Sequence, residues 1–513
     1  MSKGRLFKST LVISSMTFIS RVFGLVRDVV FAALFGAGRE LDAFIVAFRI
    51  PNFLRRLFAE GGFSQAFVPV LSEYREQRGH DEVRALLDQT TATLGLVLLG
   101  VTVVGVLAAP VFILVFAPGF LNEPDKQQLA ADMLRITFPY ILFISLTALA
   151  GGILNTYRRF AVPAFTPVLL NLSLIGCALW LAPRLEEPIM ALAVGVFIAG
   201  IVQLLFQIPF LLRLRLLPIP RFHRDREGVN RIMTLMLPTL FAVSITQINL
   251  LVDTLIASFL RDGSISWLYY SDRLVEFPLG VFGVALATVI LPNLSADHAN
   301  ASTESYSRTL AWALRMVLLI AIPAAAGLIL LSAPMLTTLF QYRAFTEFDV
   351  TMASHSLMAY AVGLPGFILI KVLSSAFFSR QDTRTPVKVA VIAMFSNIVL
   401  NLLLVIPLAH TGLALATSLS AYINCGLLYL YLRRNEVYQP AGGAARHLFR
   451  IAAAIAAMAL LLLALVPDIG AWSEWDVFQR AWQLGLWVIL GGISYFAVLL
   501  LLGLRLHDMT APS

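Results

Sequence analysis

Hydrophobic residues along this chain gather in long runs that are separated by short polar loops. A run of about 20 apolar residues is what an α-helix needs to cross the hydrocarbon core of a bilayer. Counted in this way, the pattern predicts an all-α polytopic membrane protein with 14 transmembrane helices. Their approximate limits are 9–36, 42–71, 90–116, 129–154, 162–182, 188–212, 232–260, 266–294, 309–333, 353–378, 387–408, 412–432, 447–467 and 482–504.

The second of these segments is interrupted at residues 49–52, which read Arg-Ile-Pro-Asn. Pro51 has no backbone N–H to donate, and its ring crowds the carbonyl group four residues earlier. We therefore expect the helix to kink at this point.

Basic residues in the loops fall mainly on one side of the predicted membrane. With the N-terminus in the cytoplasm, 23 Lys and Arg residues lie at cytoplasmic ends or loops. Six lie on the opposite side, namely Arg39, Lys126, Arg184, Arg261, Arg343 and Arg480. Because Lys and Arg concentrate in cytoplasmic loops, this distribution predicts that both termini are cytoplasmic. The first apolar run has no small-residue cleavage site, so we interpret it as an uncleaved first helix.

The composition argues against several other classes of protein. Hydrophobic residues make up 59% of the chain and charged residues 13%, against about 25% charged in soluble domains. Cys177 and Cys425 lie in separate apolar segments, which predicts no disulfide and no CxxC pair. No HExxH, GxSxG or Walker A motif is present, so we expect neither an enzyme nor a bound cofactor. The net charge of +8 lies mostly in short loops, so we expect no nucleic-acid partner.

Several charged residues fall inside the predicted helices, where each costs about 2.5–3.5 kcal/mol on insertion scales. The cations are Arg21, Arg27, Arg49, Arg55, Arg56, Arg273 and Lys371. The acids at similar depth are Asp28, Glu60, Asp253, Asp272 and Glu276. Five acids cannot neutralise seven cations, which predicts an anionic ligand. Arginine at six of the seven positions favours bidentate recognition of phosphate.

Two of these groups have a simpler interpretation as contacts between helices. Arg27–Asp28 and Arg56–Glu60 can form internal salt bridges.

A second group of polar residues offers oxygen ligands for Na⁺, namely Asp253, Asn397, Asn401 and Thr417. A lone acid such as Asp253 can also carry a proton. The alternative, which we favour slightly, is that these polar residues form hydrogen bonds between helices. The sequence leaves coupling to Na⁺ or H⁺ open.

The chain also repeats itself. Residues 44–74 resemble residues 269–297, and 155–167 resemble 378–389, with an offset of roughly 223 residues. Because six helices separate the copies, the halves are predicted to be related by a pseudo-twofold axis along the membrane normal. The predicted domains are an N-terminal lobe (1–215), a cytoplasmic linker (216–231), a C-terminal lobe (232–434) and two final helices with a short tail (435–513).

Several long motifs resemble a known family. They are SSMTFISRVFGLVRD, FGAGRELDAF, PNFLRRLFAEGGFSQAFVP, SWLYYSDRLVEFP and SRQDTRTPVK. They are similar to the MurJ (MviN) family of bacterial lipid II flippases in the MOP exporter superfamily, over essentially the full length. The resemblance implies a multi-pass protein of the bacterial inner membrane that works by alternating access. It would move the undecaprenyl-pyrophosphate-linked peptidoglycan precursor from the cytoplasmic to the periplasmic leaflet.

The resemblance also implies a set of substrate-binding residues. The positions that match the family's cavity are Arg21, Arg27, Asp42, Arg55, Arg56, Glu60 and Arg273, with Ser20 and Ser266 as small polar neighbours. Lys371 is a further cavity candidate from the charge pattern, and Asp253 is a position at which family members vary. The last two helices resemble those that, with the eighth, form a groove for the polyprenyl tail.

Two alternatives remain at this point. One is an exporter of the same superfamily for another polyprenyl-linked oligosaccharide or a drug cation, although a drug cation would favour an acidic or aromatic cavity. The other is a scaffold of the cell-wall synthesis machinery that transports nothing. The expected partners are lipid II, the bilayer and, as an open prospect, proteins of cell-wall synthesis.

Overall fold

The computed structural model describes residues 3–56, 63–222, 227–300, 302–439 and 443–504, and all regular secondary structure in these ranges is helical. The predicted all-α class is confirmed. Glu60 lies outside the described residues, and so does its predicted pairing with Arg56.

The chain forms two compact units, Met1–Gly263 and Ser264–Ser513. The first contains α1 (Lys3–Phe35), α2 (Arg39–Arg55), α3 (Ser64–Gln77), α4 (His80–Leu107), α5 (Ala109–Phe116), α6 (Pro124–Thr137), α7 (Tyr140–Thr156), α8 (Ala161–Gly176), α9 (Met190–Arg213) and α10 (Glu227–Ala257). Helix α10 packs against α2 and α3 in this unit. The lobe boundary at 216–231, which rests on the repeat rather than on packing, stays a prediction.

The second unit contains the remaining helices. They are α11 (Ser264–Pro278), α12 (Val284–Ala299), α13 (Thr303–Leu330), α14 (Ser332–Phe340), α15 (Glu347–Phe378), α16 (Arg384–Arg434), α17 (Ala444–Leu465), α18 (Ile469–Glu474) and α19 (Val477–Leu501). Its core packs α13, α17 and α19 together through residues such as Met316, Ile451 and Leu499.

Within the described residues, ten helical stretches are long and apolar enough to cross a membrane. One of them, α16, covers two predicted segments. Its backbone breaks between these segments at Ala409, with φ 48° and ψ −130°. The two halves then fold back on each other, as Ser420 Oγ donates to the Ala393 carbonyl at 2.8 Å. The predicted break between 408 and 412 is thus present, and the total of 14 transmembrane helices stays a prediction.

Pro51 does not end the helix in which it lies, since α2 runs from Arg39 to Arg55. The kink expected at 49–52 thus does not break the helix, and a bend of its axis there stays a prediction. Proline cannot donate to the carbonyl four residues earlier, which here belongs to Ala47. Thr137 Oγ1 of α6 makes a long hydrogen bond of 3.4 Å to that carbonyl. A neighbouring helix thus satisfies the group that the proline leaves without its usual donor.

In the first unit, loops that the helix count assigns to the same side of the membrane lie together. Arg39 approaches Glu123 at 3.7 Å, and both belong to loops assigned to the extracytoplasmic side. At the opposite end Arg78 pairs with Glu227 at 3.1 Å, where both loops are assigned to the cytoplasm. The alternation of sides therefore agrees with the packing. Which side is cytoplasmic stays a prediction.

The sequence repeat also appears in the backbone. Arg158 and Gln381 are 381 − 158 = 223 residues apart, and both adopt left-handed conformations with φ of 62° and 60°. In each case the next residue donates its N–H to the carbonyl five residues earlier, at 2.8 and 3.1 Å. This is the hydrogen bond of a Schellman-type helix end. Two copies of one turn thus follow α7 and α15.

Helix α11 passes directly into a wide π-type turn at Leu279–Gly283, after the segment that carries Arg273. Such turns are rare and occur frequently at functional sites. The symmetry axis between the halves stays a prediction.

The second copy of the left-handed turn gives a testable pH dependence. Asp382 accepts hydrogen bonds from Thr385 Oγ1 at 2.6 Å and from the backbone N–H groups of Thr385 and Arg384 at 3.0 and 3.1 Å. These bonds, with that of the Thr385 hydroxyl the strongest, hold the pKa of Asp382 below its ordinary value of 3.8. The folded state therefore favours the ionised carboxylate.

We expect the Asp382→Asn variant to be less stable than the native chain at neutral pH, by less than about 1 kcal/mol because the group is partly exposed. Because the pKa of Asp382 is lower in the folded than in the unfolded protein, its carboxylate stabilises the fold above pH 3.8. This contribution is lost as the pH falls through the pKa of Asp382 in the folded protein. Unfolding of both proteins in detergent, measured from pH 7 to pH 3, should therefore converge at the acid end. A difference that does not depend on pH would contradict this account.

Candidate substrate-binding site

Helix α1 carries a buried ion pair. Arg27 and Asp28 are 7% and 2% exposed. The guanidinium donates to Asp28 Oδ1 from Nε at 3.0 Å and from Nη2 at 2.7 Å. Its Nη1 donates to Asn171 Oδ1 of α8 at 3.0 Å, and the Asn171 amide donates to the Ser20 carbonyl at 3.2 Å. The internal pair considered from sequence is thus present, and it fixes the orientation of Arg27.

Helix α2 directs two arginines towards α10. Arg49 Nη1 donates to Thr254 Oγ1, and Arg56 Nη1 donates to Gln247 Oε1 at 3.3 Å. Seven residues separate the two arginines, and seven separate their partners in the reverse order, so the helices are antiparallel here. Thr254 and Gln247 are neutral, so these two bonds orient the guanidinium groups without cancelling their charge.

The remaining arginines of this segment differ in exposure. Arg21 is exposed on α1, and its neighbour Ser20 is half-buried. Arg55 is half-buried and donates from Nε to Asn52 Oδ1 at 2.9 Å. Arg21 is therefore the most accessible of the predicted cations in the first unit.

Asp42 lies in a different environment, near the start of α2, at the end of the helix that the helix count assigns to the extracytoplasmic side. Its carboxylate accepts a hydrogen bond from the Gly263 N–H at 2.8 Å and lies 3.7 Å from Lys126 Nζ. Lys126 is 2% exposed, contacts Asp262 as well, and lies 4.4 Å from the centre of the Phe120 ring. Asp42 thus belongs to a buried ionic cluster that joins the starts of α2 and α6 to the turn after α10.

In the second unit, Arg273 of α11 is partly exposed. Its Nη1 donates to Glu276 Oε2 at 2.9 Å, and the guanidinium lies 5.0 Å from the centre of the Tyr269 ring. Ser266 is fully buried and Lys371 of α15 is exposed. The predicted candidates of this unit therefore include one paired arginine, one exposed lysine and one buried serine.

The residues considered for a cation site fall into separate groups. Asn401 donates to Asn397 Oδ1 at 3.0 Å, and Asn397 donates to Thr417 Oγ1 at 3.4 Å, all in the second unit. This chain links the two halves of α16, in agreement with the hydrogen-bond alternative. Asp253 lies half-buried on α10 in the first unit and takes part in a polar interaction, so it is not isolated as the sequence suggested. No metal-binding cluster of His, Cys, Asp and Glu occurs among the described residues.

Four polar residues that contact predicted site residues are not apparent as site candidates from the sequence, namely Asn171, Gln247, Thr254 and Lys126. The first three interrupt apolar runs, which is a detectable signal because polar groups at membrane depth require partners. Lys126 gave no such signal, since it follows a polar loop and resembles a solvated residue.

Comparison with known proteins identifies the family. The family model described as "Lipid II flippase MurJ" matches residues 31–484. The chain belongs to the MurJ family. MurJ proteins are transporters rather than enzymes, which confirms the expectation of no enzymatic activity.

Curated MurJ relatives match almost the whole chain. The probable lipid II flippase MurJ of Vibrio cholerae is 50% identical and the alignment covers 99% of this chain and 98% of the relative. The probable lipid II flippase MurJ of Haemophilus influenzae is 46% identical, and the alignment covers 96% of this chain and 99% of the relative. The lipid II flippase MurJ of Burkholderia cenocepacia is 41% identical over 98% of both.

Solved structures agree with this assignment. A lipid II flippase MurJ in an inward closed conformation superposes with a TM-score of 0.80 at 29% identity, covering 95% of this chain and 98% of that one. An inward-facing multidrug MATE transporter of the MOP superfamily gives a TM-score of 0.67 at 15% identity, covering 83% and 98%. The latter supports the fold alone.

Proposed function

We propose that this protein is a flippase that moves lipid II from the cytoplasmic to the periplasmic leaflet of the bacterial inner membrane. The observation that carries the proposal is an excess of cations at membrane depth in a chain of the MurJ family. Lipid II carries a pyrophosphate, which is the anionic group that such an excess suits. Transport requires no covalent change of the cargo, in keeping with the absence of enzyme motifs in the sequence.

The arginines have different roles in this proposal. Arg21 is exposed and is the residue of the first unit that contacts the pyrophosphate. Arg273 is the candidate of the second unit, where its pairing with Glu276 is half-exposed. A phosphate competes readily for such a guanidinium, because exposed salt bridges contribute only about 0–1 kcal/mol. Arg55 contributes from the same segment of α2 as Arg56, and Lys371 adds a positive charge from α15.

Arg27 and Arg56 are held in place by protein partners before the cargo arrives. Asp28 and Asn171 fix the first guanidinium and Gln247 contributes to fixing the second. Side chains that are already oriented lose less conformational entropy when they bind a ligand. We propose that Asp42 supports α2 and that Ser266 supports α11, because both side chains are buried.

Alternating access accounts for transport in this proposal. The site opens in turn to each side of the membrane while the polyprenyl tail stays in the lipid, alongside the last two helices. Both termini are cytoplasmic in this arrangement, and the final helix ends there. Coupling to Na⁺ or H⁺ and contacts with proteins of cell-wall synthesis remain outside the proposal.

A reconstituted transport assay tests the function. The purified full-length chain in vesicles should move labelled lipid II between leaflets. Undecaprenyl pyrophosphate should compete with transport, and undecaprenol, which lacks phosphate, should not, because the cations recognise the anionic group. Equal competition by both lipids would contradict a pyrophosphate site, and an inactive native chain would favour the scaffold alternative.

The same vesicles separate lipid II transport from export of another polyprenyl-linked oligosaccharide. A pyrophosphate-linked lipid with a different glycan should be moved more slowly than lipid II. Equal rates for the two lipids would favour the broader exporter.

A further inference from the structure

A basic cavity lies in the second unit, between helices α13 and α17. It has a volume of about 250 Å³ and is lined by Arg315, Met316, Gly443, Arg446, His447, Arg450 and Leu504. Three of these residues are arginines and none of the described lining residues is acidic. The cavity is therefore a concentration of positive charge in a membrane protein.

The cavity is built by one face of α17 and the neighbouring part of α13. Gly443, Arg446, His447 and Arg450 follow the spacing i, i+3, i+4 and i+7, which places them on one side of the helix. Gly443 adopts a left-handed conformation with φ 89° at the start of α17. The helix thus directs the positive end of its dipole to the same region as the arginine side chains.

The floor of the cavity is part of the core. Met316 and Leu504 line it and also pack in the cluster that joins α13, α17 and α19. Because interior packing resists deformation, this floor fixes the points on α13 and α17 from which the arginine side chains extend. Arginines above an apolar floor suit a molecule that has a phosphate next to a hydrocarbon.

The position of the cavity favours a lipid over a soluble ligand. It lies where α17 begins and just after α19 ends, at the end of the unit where Ser307 and Gln439 make a hydrogen bond of 3.0 Å. The charge distribution predicts that this end is cytoplasmic. Basic pockets between membrane helices on that side bind anionic lipid head groups. A volume below the roughly 300–1,000 Å³ of drug-sized sites suits a head group.

We propose that this cavity binds the phosphate group of an anionic phospholipid. Arg446 and Arg450 of α17 and Arg315 of α13 hold the phosphate by charge-assisted hydrogen bonds. The lipid chains extend from Met316 and Leu504 along the apolar helices. The cavity differs from the pyrophosphate site, since α13 and α17 carry none of the residues assigned to pyrophosphate.

Native mass spectrometry of the full-length chain in detergent tests the proposal. Phosphatidylglycerol is the probe and phosphatidylcholine is the zwitterionic reference. The variant Arg446→Gln/Arg450→Gln should bind phosphatidylglycerol about tenfold more weakly than the native chain, as expected for the loss of hydrogen bonds to a charged group. The control Arg433→Gln/Arg434→Gln removes the same charge from exposed residues outside the cavity and should bind like the native chain.

The outcomes separate the explanations. An equal loss in both variants would overturn the site in favour of general surface charge, and no loss in either would overturn it outright. Arg446→Lys/Arg450→Lys keeps the charge and should retain intermediate affinity, which excludes misfolding as the cause. If inorganic phosphate displaces phosphatidylcholine and phosphatidylglycerol equally, a free phosphate is the ligand and the lipid proposal fails. Lipid II transport is not measured, so the result does not depend on the proposed function.

Discussion

The Arg21→Ala variant is expected to transport lipid II about ten- to hundredfold more slowly than the native chain. Hydrogen bonds to a charged group contribute about 1.5–3 kcal/mol, and each factor of ten in rate corresponds to about 1.4 kcal/mol. Arg21 is exposed on α1, so its removal leaves no buried acid behind. The fold should therefore be preserved, and the defect should appear in transport alone.

The matched control is Arg84→Ala, which removes an exposed arginine of α4 outside the apolar part of that helix. It should transport lipid II at the native rate. Lipid II movement in vesicles is measured together with thermal unfolding in detergent for all three proteins. Native transport by Arg21→Ala would exclude this arginine from the site, and a matching loss in Arg84→Ala would point to a general effect of charge.

The Lys126→Ala variant is expected to lose about 3–5 kcal/mol of stability, because it leaves a buried acid without its cation. Lys126 and Asp42 are 2% and 1% exposed and lie 3.7 Å apart. The lysine also contacts Asp262 and lies against the Phe120 ring. Its removal therefore affects three segments at once, and thermal or denaturant unfolding in detergent should detect it.

Two further variants test the electrostatic origin of this loss. Arg39→Ala breaks an exposed contact with Glu123 at the same end of the unit and should cost less than about 1 kcal/mol. Lys126→Ala/Asp42→Asn removes the uncompensated charge and should recover part of the lost stability. If Lys126→Ala and Arg39→Ala are equally stable, the buried cluster has no special role.

The sequence was informative where the signal is local. Hydrophobic run length predicted the helical class, and the adjacent residues Arg27 and Asp28 form the pair that their proximity suggested. The break within α16 also falls between the two predicted segments, at Ala409. In these cases the determining interactions lie within a few residues of each other along the chain.

Contacts between distant segments were less predictable. Arg49 and Thr254 are 205 residues apart, and their contact depends on how α2 and α10 align. Apolar periodicity defines the buried face of a helix, but the register between two helices depends on the packing of many side chains. Lys126 illustrates the same limit, because its ionic partners Asp42 and Asp262 lie far from it in the chain.

The recurrence of turns at an interval of 223 residues also bears on how the charges arose. The positions that correspond to Arg21, Arg27 and Arg56 in the second half are Ser244, Leu250 and Leu279. The duplicated element is thus the backbone, whereas the cations occupy different positions in the two halves, since Arg273 and Lys371 correspond to Ile50 and Ala148. A scaffold of two similar halves with different chemistry suits an asymmetric cargo, which has a charged head at one end and a hydrocarbon chain at the other.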